Sequence, residues 1–148
     1  MSIAHFAAYA AAFEKAFESD DWSEVAECFA ADAVYEVPLD PPLGGRFRGR
    51  DEILAYFKRV LDGFDRRFES RQIELLEGPT QTGNQVWLRG RARYNTAGVP
   101  ELVLELEEIA TFAGEQIVRL EDRYDPKAGP ALAAYLAEHG PRLGLGTG

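Results

Sequence analysis

Between Gln85 and Tyr124 the chain carries three runs in which apolar and polar residues alternate, and that period constrains the fold most. Successive residues of a strand point to opposite faces. Leu102 to Phe112 therefore splits into an even row, Leu102, Leu104, Leu106, Glu108, Ala110 and Phe112, and a mixed odd row. Glu108 is the one charge in the apolar row. Burying an ionised carboxylate is expensive, so such a residue finds a partner, keeps its proton, or serves a purpose.

The neighbouring runs repeat the pattern. Gln85 to Asn95 has Val86, Leu88, Gly90, Ala92 and Tyr94 on one face and Trp87, Arg89, Arg91, Arg93 and Asn95 on the other. In Gln116 to Tyr124 the even row is Val118, Leu120, Asp122 and Tyr124, which turns a second carboxylate inward. A three-residue turn at Ala113-Gly114-Glu115 sets Glu108 opposite Leu120, with Asp122 as its diagonal neighbour, about 7–8 Å away. Two carboxyl groups that close in apolar surroundings titrate apart, one of them raised. General acid–base work needs that arrangement. Glu108 and Asp122 are the candidate catalytic pair and Tyr94 a candidate phenol beside them. The competing reading leaves Asp122 wet at its strand end and Glu108 paired to a cation.

The odd rows read differently. Antiparallel pairing sets Arg89 and Arg91 across from Glu107 and Glu105, cross-strand pairs of roughly 0.2–1 kcal/mol each. Trp87, Val103 and Ile109 on the same face are more than a solvated ladder needs, so this outer face is expected to form a homodimer.

Ahead of the strands, Phe6, Tyr9, Ala10, Phe13 and Phe17 recur at helical spacing over residues 3–18. Asp21-Trp22-Ser23-Glu24 has capping-box spacing and opens a short second helix with Val25 and Phe29 inward. Ala33 to Pro38 reads as a strand, Leu39 to Gly49 as a Pro- and Gly-rich loop, and Asp51 to Phe64 as a third helix. A strand from Phe68 to Leu76 precedes the alternating runs. Asp125-Pro126 caps a last helix bearing Leu132, Tyr135 and Leu136, and Gly140-Pro141 ends it. Helices first and a meander afterwards predict an α+β domain with helices on one face of an antiparallel sheet. One domain is expected over residues 1–140, with a flexible tail at 141–148.

Composition narrows the function. Net charge of -9 over 148 residues argues against a nucleic-acid partner, which requires a basic footprint. It also disfavours anionic membranes, and no apolar run reaches the roughly 18 residues that span a bilayer. The single Cys28 and the lack of a basic, apolar leader fit a cytoplasmic protein. His5 and His139 lie far apart and in no metal-ligand spacing, so no metal is expected. Arg46, Arg48 and Arg50 read either as a solvated loop or as a site for an acidic ligand.

Several stretches together resemble the nuclear transport factor 2-like superfamily, in its SnoaL-like and ketosteroid-isomerase-like branch. They are Asp21-Trp22, the run from Phe29 to Tyr35, the stretch from Phe47 to Ile53, and Asp122-Arg123-Tyr124-Asp125. The resemblance covers nearly the whole chain. It implies a cone-shaped, curved sheet wrapped around three N-terminal helices (the cystatin-like α+β barrel) with a short C-terminal helix. It also implies a pocket in the cone, here lined by Tyr9, Phe13, Trp22, Tyr35, Val37, Phe57, Leu88, Leu106, Leu120 and Tyr124.

Ketosteroid isomerase works with an aspartate base and an oxyanion hole of a tyrosine and a protonated aspartate. Carried over by ungapped alignment from Asp21 to Pro38, the base position falls on Val37, which cannot take a proton. The helix-one tyrosine falls on Phe13, which cannot donate. Only the second carboxylate is kept, as Glu108, aligned through Phe112-Ala113-Gly114. The steroid isomerase mechanism is therefore not expected. Tyr9, one turn before Phe13, and Tyr94 are the replacement phenols.

The expectation is a cofactor-independent acid–base enzyme of isomerase, cyclase or dehydratase type, acting on a cyclic or polyketide-like molecule in an apolar pocket. The alternatives are a non-catalytic small-molecule-binding domain, or a scaffold whose cone is filled by its own side chains.

Overall fold

In a computed structural model, which describes residues 2–41 and 43–144, the alternating runs are strands and the helices lie on one side of them. Helix α1 spans Ser2–Ser19 and buries Phe6, Tyr9, Ala12 and Ala16; of the predicted stripe Phe13 and Phe17 are half-buried and Ala10 is exposed. Asp20 stops it with a left-handed φ of 63°, and its N–H still reaches Ala16 O.

Helix α2, Ser23–Glu27, begins where Asp21 Oδ1 accepts both the N–H and the hydroxyl of Ser23. The expected capping box does not form: Trp22 is the N-cap, and no side chain caps the helix. Glu24 turns away to an ion pair with Lys15 at 2.7 Å.

Strand β1 runs over Phe29–Val37, so Phe29 starts a strand rather than closing the second helix. Part of the expected loop is itself a strand, β2, Gly45–Arg48, paired antiparallel with β1. Helix α3, Arg50–Gly63, buries Ile53, Tyr56, Phe57 and Leu61. A 3-10 turn at Asp65–Arg67 leads into β3, Ser70–Thr82, which runs six residues beyond its predicted end at Leu76 with two register shifts. Strands β4, Gln85–Asn95, β5, Leu102–Ala113, and β6, Gln116–Tyr124, follow their predicted bounds closely. Helix α4, Ala128–His139, starts after a turn in which Asp125 Oδ1 accepts the Lys127 N–H.

The sheet has six strands in the order β2-β1-β6-β5-β4-β3 and does not close. Four of its pairings are antiparallel. The fifth, β1 with β6, is parallel, which corrects the wholly antiparallel sheet expected from the meander. Two elements far apart in sequence meet there, and hairpin signals do not report such a contact.

On the inner face α1 lies over β3 and β4, and α3 over β1 and β2. Their residues form one core with β1 and β6, containing the fully buried Phe29, Ile53, Ile117 and Leu120. A second cluster gathers Phe64, Phe68, Tyr94 and Leu102 beneath Leu132 of α4. Leu143 joins this cluster, so Pro141–Leu143, expected in the tail, form a packed 3-10 turn. Residues 145–148 of that tail lie outside the described residues. No helix among the described residues is long and apolar enough to cross a membrane.

Candidate active site

The two core clusters do not meet everywhere, and a cavity of about 610 Å³ lies between them. Its walls come from α1 (Phe6, Tyr9, Phe13), α3 (Tyr56, Phe57, Leu61) and the inner rows of the sheet. Among those rows are Glu108 and Asp122.

Their relation is closer than counting through the hairpin suggests. The β5–β6 turn uses only Gly114 and Glu115, with Gly114 at a left-handed φ of 60°. A bulge then intervenes: Phe112 faces Ile117, yet Thr111 faces Arg119. The extra residue lets Ile117 turn inward, where it is fully buried and donates its N–H to Cys28 O. Beyond the bulge, Ala110 faces Leu120 and Glu108 faces Asp122 directly. The expected Glu108–Leu120 pairing is thus corrected by two residues, one from the shorter turn and one from the bulge, and the carboxyl groups are cross-strand neighbours rather than diagonal ones.

The parallel β1–β6 pairing supplies the third member. Tyr35 sits beside Leu120 in that register, and its hydroxyl donates to Asp122 Oδ2 at 2.5 Å. Asp122 is 5% exposed, and its other oxygen, Oδ1, is buried with no partner. Glu108 keeps partial exposure, toward the cavity it lines.

Burial pushes the Glu108 carboxyl well above its ordinary range, and the facing Asp122 charge pushes it further. Burial also raises Asp122, while the facing Glu108 carboxyl and the Tyr35 donor favour its ionised form. Two facing buried carboxyls resist ionising together, and Glu108, the more strongly raised, holds a proton more tightly than Asp122. Burial, with the nearby carboxylates, raises the hydroxyls of Tyr9, Tyr35 and Tyr124, so they remain donors.

Tyr94 does not join this group. Leu88 faces Glu108, and Tyr94 lies six residues further along β4, about 20 Å away at strand rise. Its hydroxyl donates to Asp65 Oδ2 at 3.2 Å. Arg71 Nε donates to the same oxygen at 2.9 Å, and Arg71 Nη1 reaches Glu14 at 3.0 Å. These residues line the opposite end of the cavity.

Of the other expected lining residues, Tyr9, Phe13, Tyr35, Phe57, Leu88, Leu106 and Tyr124 do line it. Trp22, Val37 and Leu120 are buried but absent from its walls. Trp22 stacks on the back of Phe57 and donates its indole N–H to Asp20, while Leu120 is fully enclosed under the bulge. Tyr56 lines the cavity, and its position three residues after Ile53 carried the signal that could have identified it. Asp65 and Arg71 carried no such signal, since a tertiary contact alone brings them to the wall.

The model of the SnoaL-like domain family matches residues 9–120. The chain belongs to the SnoaL-like domain family. Uncharacterised proteins of Mycobacterium tuberculosis and Mycobacterium bovis are 34% identical to this SnoaL-like domain over 116 residues, covering 76% of the chain and 84% of theirs. Among solved structures, TerC co-crystallised with polyporic acid has a TM-score of 0.68 at 19% identity, over 88% of this chain and 96% of that one. A putative polyketide cyclase from Sinorhizobium meliloti has a TM-score of 0.58 at 23% identity, over 78% and 93%. At these identities the solved structures share the fold with this SnoaL-like domain, a six-stranded sheet carrying helices on its inner face.

Proposed function

We propose that this SnoaL-like domain binds a small cyclic molecule in the cavity and moves a proton on it without a cofactor. Asp122 is the base, since the Tyr35 hydroxyl stabilises its charge on Oδ2 and leaves Oδ1 free to accept a proton. Glu108 is the acid, since burial and the facing charge make it hold its proton more tightly than an ordinary carboxyl. Removing a proton at one atom of the ring system and returning one at another is the common core of isomerisation, dehydration and cyclisation.

The single observation behind this reading is the unpartnered, buried Asp122 Oδ1 directly across from Glu108. A purely structural carboxylate at that depth has its lone pairs satisfied. The bound polyporic acid in TerC and the cyclase designation of the Sinorhizobium meliloti protein support a cyclic ligand.

Deuterium exchange is the test. A panel of bicyclic and tricyclic ketones is incubated in heavy water, and exchange next to the carbonyl is followed by NMR. The native protein is expected to accelerate exchange of at least one member, and Glu108→Gln and Asp122→Asn each to lose roughly 10²–10⁴-fold. Full exchange in both variants sinks the acid–base assignment. Saturable binding without exchange leaves the carrier reading.

We also propose that two copies associate through the outer face of the sheet, where Trp87 faces Ile109 and Val103 is 39% exposed. Placement in the cytoplasm is the compartment that suits the lone Cys28.

A further inference from the structure

The charge around the cavity goes beyond proton transfer and bears on what the cavity admits. Its charged lining residues are Glu14, Asp65, Arg71, Arg91, Glu108 and Asp122. Neither cation among them is free. Arg71 is held by Asp65 and Glu14 together and lies over the Phe17 ring at 4.7 Å. Arg91 belongs to the outer face, where its guanidinium meets Glu105 at 2.6 Å. At the other end no cation faces Glu108 or Asp122 among the described residues that line the cavity. The groups around that pair are the hydroxyls of Tyr35 from β1, Tyr9 from α1, Tyr56 from α3 and Tyr124 from β6. Each is neutral, because burial holds it above the ordinary phenol range.

An anion entering this space meets like charge and finds no free arginine or lysine among the lining residues. A cation meets a carboxyl pair lacking a counter-ion and aromatic faces from the surrounding elements. Ring faces attract cations most strongly where water is excluded. Tyr56 offers the ligand little, because its hydroxyl is committed to Leu43 O and its ring is stacked on Phe47 at 4.1 Å with the Arg59 guanidinium 5.5 Å from its centroid.

We infer that the molecule this cavity accepts carries a protonated amine, which seats beside Glu108 and Asp122 and donates to Asp122 Oδ1 among the rings of Tyr9, Tyr35 and Tyr124. The inference rests on Glu108 and Asp122 being the ligand-contacting pair of the proposed function, though not on that pair catalysing a reaction. It carries a consequence for protons. Both carboxyls are raised in the free protein, and an ammonium group beside them favours their ionisation. Amine binding is therefore expected to release protons from the pair.

Three probes of one shape make the test: 2-naphthylmethylamine, 2-naphthylmethanol and 2-naphthoate. Each is titrated by calorimetry at neutral pH, in two buffers of different ionisation enthalpy. The amine is expected to bind roughly tenfold or more tightly than either analogue. It alone is expected to give a buffer-dependent heat that signals proton release. Asp122→Asn is expected to abolish the preference while Lys15→Ala, an exposed change on the outside of α1, keeps it.

If the alcohol or the carboxylate binds as tightly as the amine, the inference is overturned. If that binding still weakens in Asp122→Asn, the ligand-contacting role of the pair stands and only the charge preference falls. Binding of none of the three to the native protein overturns both. Because the native protein carries the comparison, a variant that fails to fold does not decide the outcome.

Discussion

Asp122 accepts the Tyr35 hydroxyl at 2.5 Å on one oxygen and leaves the other buried and unpartnered, directly across the sheet from Glu108. Three strands meet in that arrangement. β5 brings Glu108, β6 brings Asp122, and β1 brings Tyr35 through a parallel pairing. The site therefore depends on the part of the sheet that closes last in sequence terms, between the first strand and the last.

The raised Glu108 carboxyl predicts how stability varies with pH. A carboxyl whose folded pKa exceeds its unfolded value binds its proton more tightly when folded. Its contribution is complete below the unfolded value and is lost as pH rises through the raised one. Glu108 is raised in this sense, so the native protein loses stability on the alkaline side. Each tenfold tightening of proton binding on folding corresponds to about 1.4 kcal/mol of that loss. Glu108→Gln keeps the shape and has no proton to lose. Urea unfolding from about pH 5 to about pH 9 is expected to show a flatter curve for the variant. Parallel curves for the two proteins contradict the assignment.

Tyr35→Phe removes the donor to Asp122 Oδ2 and little else, because the ring stays packed against Tyr56 and Phe57. A hydrogen bond to a charged group contributes about 1.5–3 kcal/mol. That loss is expected at neutral pH, and Asp122 then holds its proton to higher pH. At a pH low enough to protonate Asp122 in both proteins the difference shrinks. Chemical denaturation at two pH values measures it, and an equal loss at both rules out an ionised Asp122.

The far end of the cavity gives a separate prediction. Asp65 is 9% exposed, and burial raises its carboxyl while Arg71 pulls it back down. Arg71→Met strips that compensation from a buried charge, with an expected loss of about 3–5 kcal/mol at neutral pH. Asp65→Asn introduced on top of it is expected to restore part of the loss, since no orphaned charge remains. Thermal unfolding of the single and double variants decides the point. A double variant less stable than Arg71→Met would show that the cluster acts through shape rather than charge.

Local pattern carried much of this fold. The alternation in Gln85–Asn95 and Leu102–Ala113 gave the pairing of Arg89 with Glu107 and Arg91 with Glu105 in the register that forms. The ion pairs follow it only in part, because Arg89 turns to Glu77 on β3 instead. Alternation failed where tertiary packing set the parity. The bulge on β6 comes where Ile117 pairs with Phe29 of β1 and donates to the Cys28 carbonyl, and no residue of the hairpin announces that. Strand β2 escaped notice because Phe47 is the only apolar side chain in its four residues. Glu108 and Asp122 were legible as charges on an apolar face. Tyr35 was legible as a pocket wall but not as the Asp122 partner, and Tyr94, inward by pattern, stands at the wrong end of β4.

Association through the outer face makes the last prediction. Strands β4 and β5 present Trp87 across from Ile109, with Val103 across from Arg93, among charges already paired within the chain, such as Arg91 with Glu105 and Arg119 with Glu36. A face whose charges are internally satisfied gains little from meeting a charged partner. A second copy placed about a two-fold axis covers the apolar strip with the same strip. Sedimentation is expected to give twice the chain mass, with little sensitivity to salt, since apolar contact rather than cross-chain ion pairing supplies the attraction. Trp87→Glu together with Ile109→Glu sets like charges directly opposite each other, within each chain and across the proposed axis. That variant is expected to sediment as a single chain while keeping the cavity, which lies on the other side of the sheet. A single-chain mass for the native protein at micromolar concentration refutes the assembly and leaves Trp87 and Ile109 as cross-strand neighbours within one chain.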